Sequence, residues 1–136
     1  MQRSIEQLEG VKWREPDSDA PRSAIRCFEL RKKPISTLDK RDLRMLINQG
    51  VGLNYVVPLA VKMLEDDRLV ETEHYRGDLL VAVLRVGSKF FAEHPDIRSR
   101  IEKMLATLPA ELEKLDHIDF DTATEALEDG VKRFRA

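Results

Sequence analysis

Between Leu30 and Leu84 the apolar residues fall three and four apart, and this spacing limits the chain to helices more firmly than any other property. Leu43, Leu46 and Ile47 form one such stripe, and Leu79, Leu80, Val83 and Leu84 form another. The segment between them, from Val51 to Leu64, is apolar enough that periodicity alone fits a buried helix or two short strands. Its length and the charged flank Glu65–Arg68 decide for a central helix, with Pro58 in its first turn or at a kink.

Punctuation divides the rest. Residues 4–9 read as one or two helical turns closed by Gly10, and residues 11–21 as a Pro/Asp/Ser-rich loop whose Trp13 tucks its ring against the core edge. Ile25, Phe28 and Leu30 mark a helix from Arg22, with Arg31, Lys32 and Lys33 in its last turn and Pro34 stopping it. Thr37 is the expected N-cap of the next helix, with Asp39 adding charge, and Gly50 its left-handed terminator. Val70–Arg76 is a polar connection, Gly77 a break, and Asp78 the N-cap of the apolar helix that follows. His94-Pro95 starts a helix over Asp96–Leu105, Pro109 opens another, and Asp121 or Thr122 caps the last, where Thr122 and Glu125 stand at capping-box spacing. The expected fold is all-α: one compact domain over residues 1–136, a bundle of roughly six to eight short helices.

No arrangement for catalysis is visible. His74, His94 and His117 lack metal-ligand spacing, and there is no CxxC, HExxH, GxSxG or phosphate-cradling glycine motif. Cys27 lies on the apolar side of its helix and reads as a small buried hydrophobe without a disulfide partner, which suits a reducing compartment. The acid pairs Asp66-Asp67 and Glu128-Asp129 lack any sign of the enclosed site that acid/base chemistry needs. We therefore expect no enzyme, no cofactor and no metal. The start MQRSIEQLEG has no apolar core of a leader, and no stretch approaches membrane-spanning length, so the expected location is cytoplasmic, with no membrane partner.

Charge is distributed unevenly. The net charge is -2, but residues 1–60 carry 11 Lys/Arg against 8 Asp/Glu, while residues 61–136 carry 12 against 17. Within residues 107–131 stand Glu111, Glu113, Asp116, Asp119, Asp121, Glu125, Glu128 and Asp129, with Lys114 the one base. A concentrated negative face favours a basic partner and speeds the encounter. The basic groups Arg31-Lys32-Lys33 and Lys40-Arg41-Arg44 are short and interleaved with Asp39 and Asp42, so nucleic acid is a poor fit.

Several short motifs stand in a fixed order: LRKKP at 30–34, the L-x-x-x-D-L-R-x-L-I-x-Q-x-x-G-L pattern from Leu38 to Leu53, PLA at 58–60, and Y-x-G-D-L-L from Tyr75 to Leu80. With LEGVKW at 8–13 and EP at 15–16, they resemble immunity proteins of bacterial contact-dependent growth inhibition systems, the CdiI class, over about residues 5–92. One departure is Arg68-Leu69, where the family pattern tends to place a proline. The resemblance implies a cytoplasmic antidote that binds the toxic C-terminal domain of a cognate effector, commonly a basic nuclease, without catalysis of its own. Motifs shared among proteins that meet different toxins shape the scaffold, which makes Val57, Leu59, Leu79 and Leu80 core. The expected toxin contacts lie outside those motifs or at exposed charges: Glu65, Asp66, Asp67, Glu71, Glu73 and Tyr75 in the central connection, and Glu111, Glu113, Asp116, Asp119, Asp121, Glu125 and Asp129 beyond it. The competing reading is a small helical regulator or adaptor that binds nucleic acid or another protein through the basic first half.

Overall fold

The computed structural model describes residues 3–136, so the first two residues of the expected domain lie outside the described ones. It consists of α1 (Ile5–Glu9), α2 (Arg22–Lys32), a 3-10 turn (Ile35–Thr37), α3 (Lys40–Asn48), α4 (Leu53–Asp66), α5 (Asp78–Leu84), α6 (Ser88–Glu93), α7 (Pro95–Glu113) and α8 (His117–Arg135). Extended pairing among the described residues is limited to two isolated bridges, Ser4 with Pro34 and Glu71 with Arg76. The fold is all-α, as its periodicity demands.

The centre is α5. Every residue from Asp78 to Leu84 is buried, because the helix is packed by α3, α4 and α8 together, and a helix apolar all round is stable only when enclosed. α4, expected to be the most enclosed helix, buries Val56, Val57, Ala60, Val61 and Leu64. Leu59 falls off that stripe and is 36% exposed, so it is not the core residue expected from its motif. Pro58 lies in the second turn of α4, beyond the start where proline is free of cost.

α8 lies directly on α5. Ala123, Leu127 and Phe134 face the core, and Phe91 of α6 meets Phe134 edge-to-face at 4.8 Å. Gly130 lets the two backbones approach: a Cβ there would stand 3.2 Å from Leu84 Cδ1 and 3.4 Å from Leu84 Cβ. Glycine in a helix interior costs about 1 kcal/mol, and this close contact offsets it.

The expected boundaries of α3, α7 and α8 move. α3 is capped by Asp39 rather than Thr37: Asp39 accepts from the Asp42 amide at 2.9 Å while Asp42 accepts from the Asp39 amide at 3.1 Å, a reciprocal capping box. Thr37 belongs to the preceding 3-10 turn, and its hydroxyl donates to the Pro34 carbonyl. Pro109 does not open a new helix. α7 runs through it, held by the buried Leu105 and Leu108 on either side of the preceding turn, whose packing overrides the missing amide. α8 starts earlier than Asp121 or Thr122: Asp116 is its cap, accepting from the Asp119 amide at 2.9 Å.

Candidate functional site

The connection between α4 and α5 is organised by one buried carboxylate. Asp78 was expected to cap α5; instead Gly77, at φ +93°, holds that position and Asp78 is the first helical residue. Its Oδ1 accepts from the Thr72 amide at 2.8 Å, and its Oδ2 from the Thr72 hydroxyl at 2.7 Å, the His74 amide at 3.1 Å and the Glu73 amide at 3.2 Å. Burial alone would raise its pKa, but these hydrogen bonds outweigh burial and hold the carboxyl below the usual aspartate range. The acidic connection is thus folded around a charge rather than left as a free loop.

That folding sends the expected contacts of this segment in different directions. Glu65 forms a two-pronged pair with Arg100 of α7, at 2.5 and 3.1 Å, and this hydrogen bonding lowers its pKa. Asp66 and Asp67 are exposed at the end of α4, and Asp67 also accepts from the Leu69 amide. Glu71 is exposed and its backbone bridges Arg76. Glu73 borders a small hollow with Arg26, Arg41 and Asp42, whereas half-buried Tyr75 turns toward α3 and α8 beside Arg44 and Arg133. These residues do not make one acidic face.

The α7–α8 hairpin does. The two helices join through the turn at 114–116 and run antiparallel, with Arg135 of α8 paired to Glu102 of α7 at 3.2 Å. At helical spacing, Asp121, Glu125 and Glu128 share the outer face of α8, opposite Leu127 and Gly130. All three are exposed, and none lies within the salt-bridge range of 4 Å of a cation among the described residues. Asp129 is partly neutralised by Arg133 at 3.0 Å, and Glu111 by Lys114 at 3.8 Å. Glu113, Asp116 and Asp119 surround the hairpin tip, and there Ile118 is 67% and Phe120 37% exposed. Reading the sequence for charge alone missed these two side chains. Ile118 falls off the buried stripe of α8, whereas Phe120 stands on its line, seven residues before Leu127, and is left part-exposed in the first turn of the helix.

Four cations of the basic first half, Arg26, Arg31, Lys33 and Arg44, are engaged internally. Arg31 stands in the last turn of α2, as expected, and is only 1% exposed. It reaches Glu9 at 2.7 Å and the Val11 carbonyl at 2.9 Å. Trp13, expected at the core edge, is 40% exposed and stacks on the Arg31 guanidinium at 4.3 Å instead. Arg26 and Lys33 share Asp42, and Arg44 lies 3.6 Å from Asp78. These cations staple α1, α2, α3 and α5 together instead of forming a stripe along one face.

Among the described residues no group of His, Cys, Asp and Glu is arranged to hold a metal, and no helix is long and apolar enough to cross a membrane. No curated protein and no solved structure matches the chain. A profile of CDI immunity proteins does match, over residues 7–101. That span runs from α1 into α7 and includes the Asp78-centred connection, while the hairpin tip and all of α8 lie beyond it. With the match covering well over half of its length, the chain belongs to the family of CDI immunity proteins.

Proposed function

We propose that the chain neutralises the toxin domain of its cognate contact-dependent inhibition effector by stoichiometric binding in the cytoplasm, without catalysis, and that the toxin is a basic nuclease. The observation that carries this reading is the acidic face of α8, where Asp121, Glu125 and Glu128 have no ion pair among the described residues and Ile118 stands exposed on the same side, with Phe120 part-exposed at the same end of the helix. Carboxylates without internal partners are free to meet Lys and Arg in a cleft built for substrate phosphates. An exposed aromatic and an aliphatic side chain at the same end supply the apolar anchors that dominate interface energies. This face also lies outside the family-matched residues, where specificity for one toxin among many belongs.

Glu113, Asp116 and Asp119 extend the same surface around the tip, with Glu111 and Asp129 at its edges behind their own ion pairs. Glu65, Asp66, Asp67, Glu71 and Glu73 are secondary contacts in this reading. They point apart, and Glu65 must release Arg100 before it can bind a partner. Co-expression of the cognate toxin domain with this chain is the test. We expect a stable complex and restored growth of the toxin-producing cells. Toxicity undiminished, with no complex recovered at low salt, refutes the reading.

A further inference from the structure

One cavity has the opposite sign to the acidic face. About 380 Å³ in volume, it lies where α3, the end of the connection, α5 and α8 meet, and Arg44, Asn48, Tyr75, Asp78, Arg85 and Arg133 line it. Three guanidinium groups therefore border a space with a single carboxylate. That carboxylate is already saturated, because Asp78 accepts four hydrogen bonds from the Thr72–His74 segment. It holds Arg44 electrostatically at 3.6 Å but gives it no hydrogen bond, and Arg44 Nε is buried without a hydrogen-bond partner among the described residues. Arg31 and Arg68 also carry buried unpartnered nitrogens, but neither borders this cavity.

The other cations are equally available. Arg85 makes no ion pair within 4 Å among the described residues. Among the described residues Arg133 is engaged only by Asp129, an exposed neighbour one turn back on α8. Burial, with Asp78 nearby, raises the Tyr75 pKa, which keeps its hydroxyl protonated and able to donate.

We propose that this cavity is an oxyanion-binding site, in which Arg44, Arg85 and Arg133 take a phosphate or carboxylate group and Tyr75 and Asn48 donate to its remaining oxygens. Arginine suits this chemistry because its planar fork presents paired N–H donors to two oxygens of one group. Asp78 fixes Arg44 before the anion arrives, so little order is lost on binding. The site is distinct from the outer acidic face of α8, meeting its edge at the Asp129–Arg133 pair, and does not depend on the identity of the toxin.

The test follows the Arg44 Nε–H signal by proton–nitrogen NMR during titration with inorganic phosphate or with acetate, at constant ionic strength set by sodium chloride. We expect a saturable shift with at least one of the two anions, and the one that saturates identifies the chemistry the site prefers. In the double variant Arg85→Ala, Arg133→Ala, whose altered side chains lie at the surface, binding should weaken by at least about tenfold, as loss of two charge-assisted contacts implies. Absence of a saturable shift with either anion overturns the proposal, as does an equal response in wild type and the double variant. Addition of the toxin domain separates the sources: loss of phosphate or acetate binding in the complex assigns the natural anion to a toxin carboxylate, and retained binding assigns it to a free anion.

Discussion

Replacing Asp78 by Asn removes the charge on which the connection between α4 and α5 is built. In the wild-type protein its two oxygens accept from the Thr72 amide and hydroxyl and from the Glu73 and His74 amides, at 2.7–3.2 Å, inside the protein. A hydrogen bond to a charged group contributes about 1.5–3 kcal/mol, but four bonds on one carboxylate are not additive. Asn keeps one oxygen and turns an NH2 group toward other donors, leaving amides unsatisfied and Arg44 without its counter-charge. Breaking such a buried charged network costs about 3–5 kcal/mol. That is a large share of the roughly 5–15 kcal/mol that stabilises an ordinary domain.

Urea unfolding followed by far-UV circular dichroism measures this loss. Tryptophan fluorescence is a poorer reporter, because Trp13 sits on the surface loop. The midpoint should fall while the slope stays unchanged. The effect also has a defined pH dependence. Because the folded Asp78 carboxyl titrates below the ordinary aspartate range, its contribution is complete above about pH 4 and fades as the pH falls through the folded value. Wild type should therefore lose stability on acidification more steeply than Asp78→Asn. A stability loss below about 1 kcal/mol at neutral pH refutes the network account.

Other consequences are simpler. Gly130→Val drives a branched side chain into Leu84, which already stands 3.2 Å from where a Cβ would sit; a loss of about 2 kcal/mol or more in the same assay is expected, in the range typical of overpacking. Cys27 is buried and burial raises its thiol pKa, so a disulfide reagent should modify it far more slowly in the native protein than in urea. Ile118→Ser, at a site 67% exposed, should leave the unfolding free energy within about 0.5 kcal/mol of wild type, yet weaken toxin binding in calorimetry.

Most of the helices were legible because apolar spacing, glycine and proline carry that information locally, but α6 was not foreseen and α7 was expected as two helices. What was not legible depended on tertiary contacts. Pro109 looks like a helix start until Leu105 and Leu108 are seen to anchor α7 on the core. Asp78 looks like an N-cap because spacing cannot show that Thr72–His74 folds back to donate to it. Leu59 belongs to an apolar motif, but the orientation of α4 turns it outward. The acidic residues beyond 107 stood out by composition alone. Separating Asp121, Glu125 and Glu128, which have no ion pair among the described residues, from Asp129 and Glu111, which have one, required the neighbours in space.

Affinity for the cognate toxin domain, after reversing the outer face of α8 with Asp121→Lys, Glu125→Lys and Glu128→Lys together, tests whether that face binds the toxin. Isothermal titration calorimetry at two salt concentrations, beside Asp66→Lys with Asp67→Lys as the comparison, separates the two acidic regions. Toxin binding through that face predicts a loss of at least about 100-fold for the α8 variant, roughly one tenfold step per 1.4 kcal/mol of lost charge pairing. It also predicts a flatter salt dependence and an unchanged helical spectrum. Wild-type affinity in the α8 variant, with the loss falling instead on the Asp66 and Asp67 variant, contradicts it.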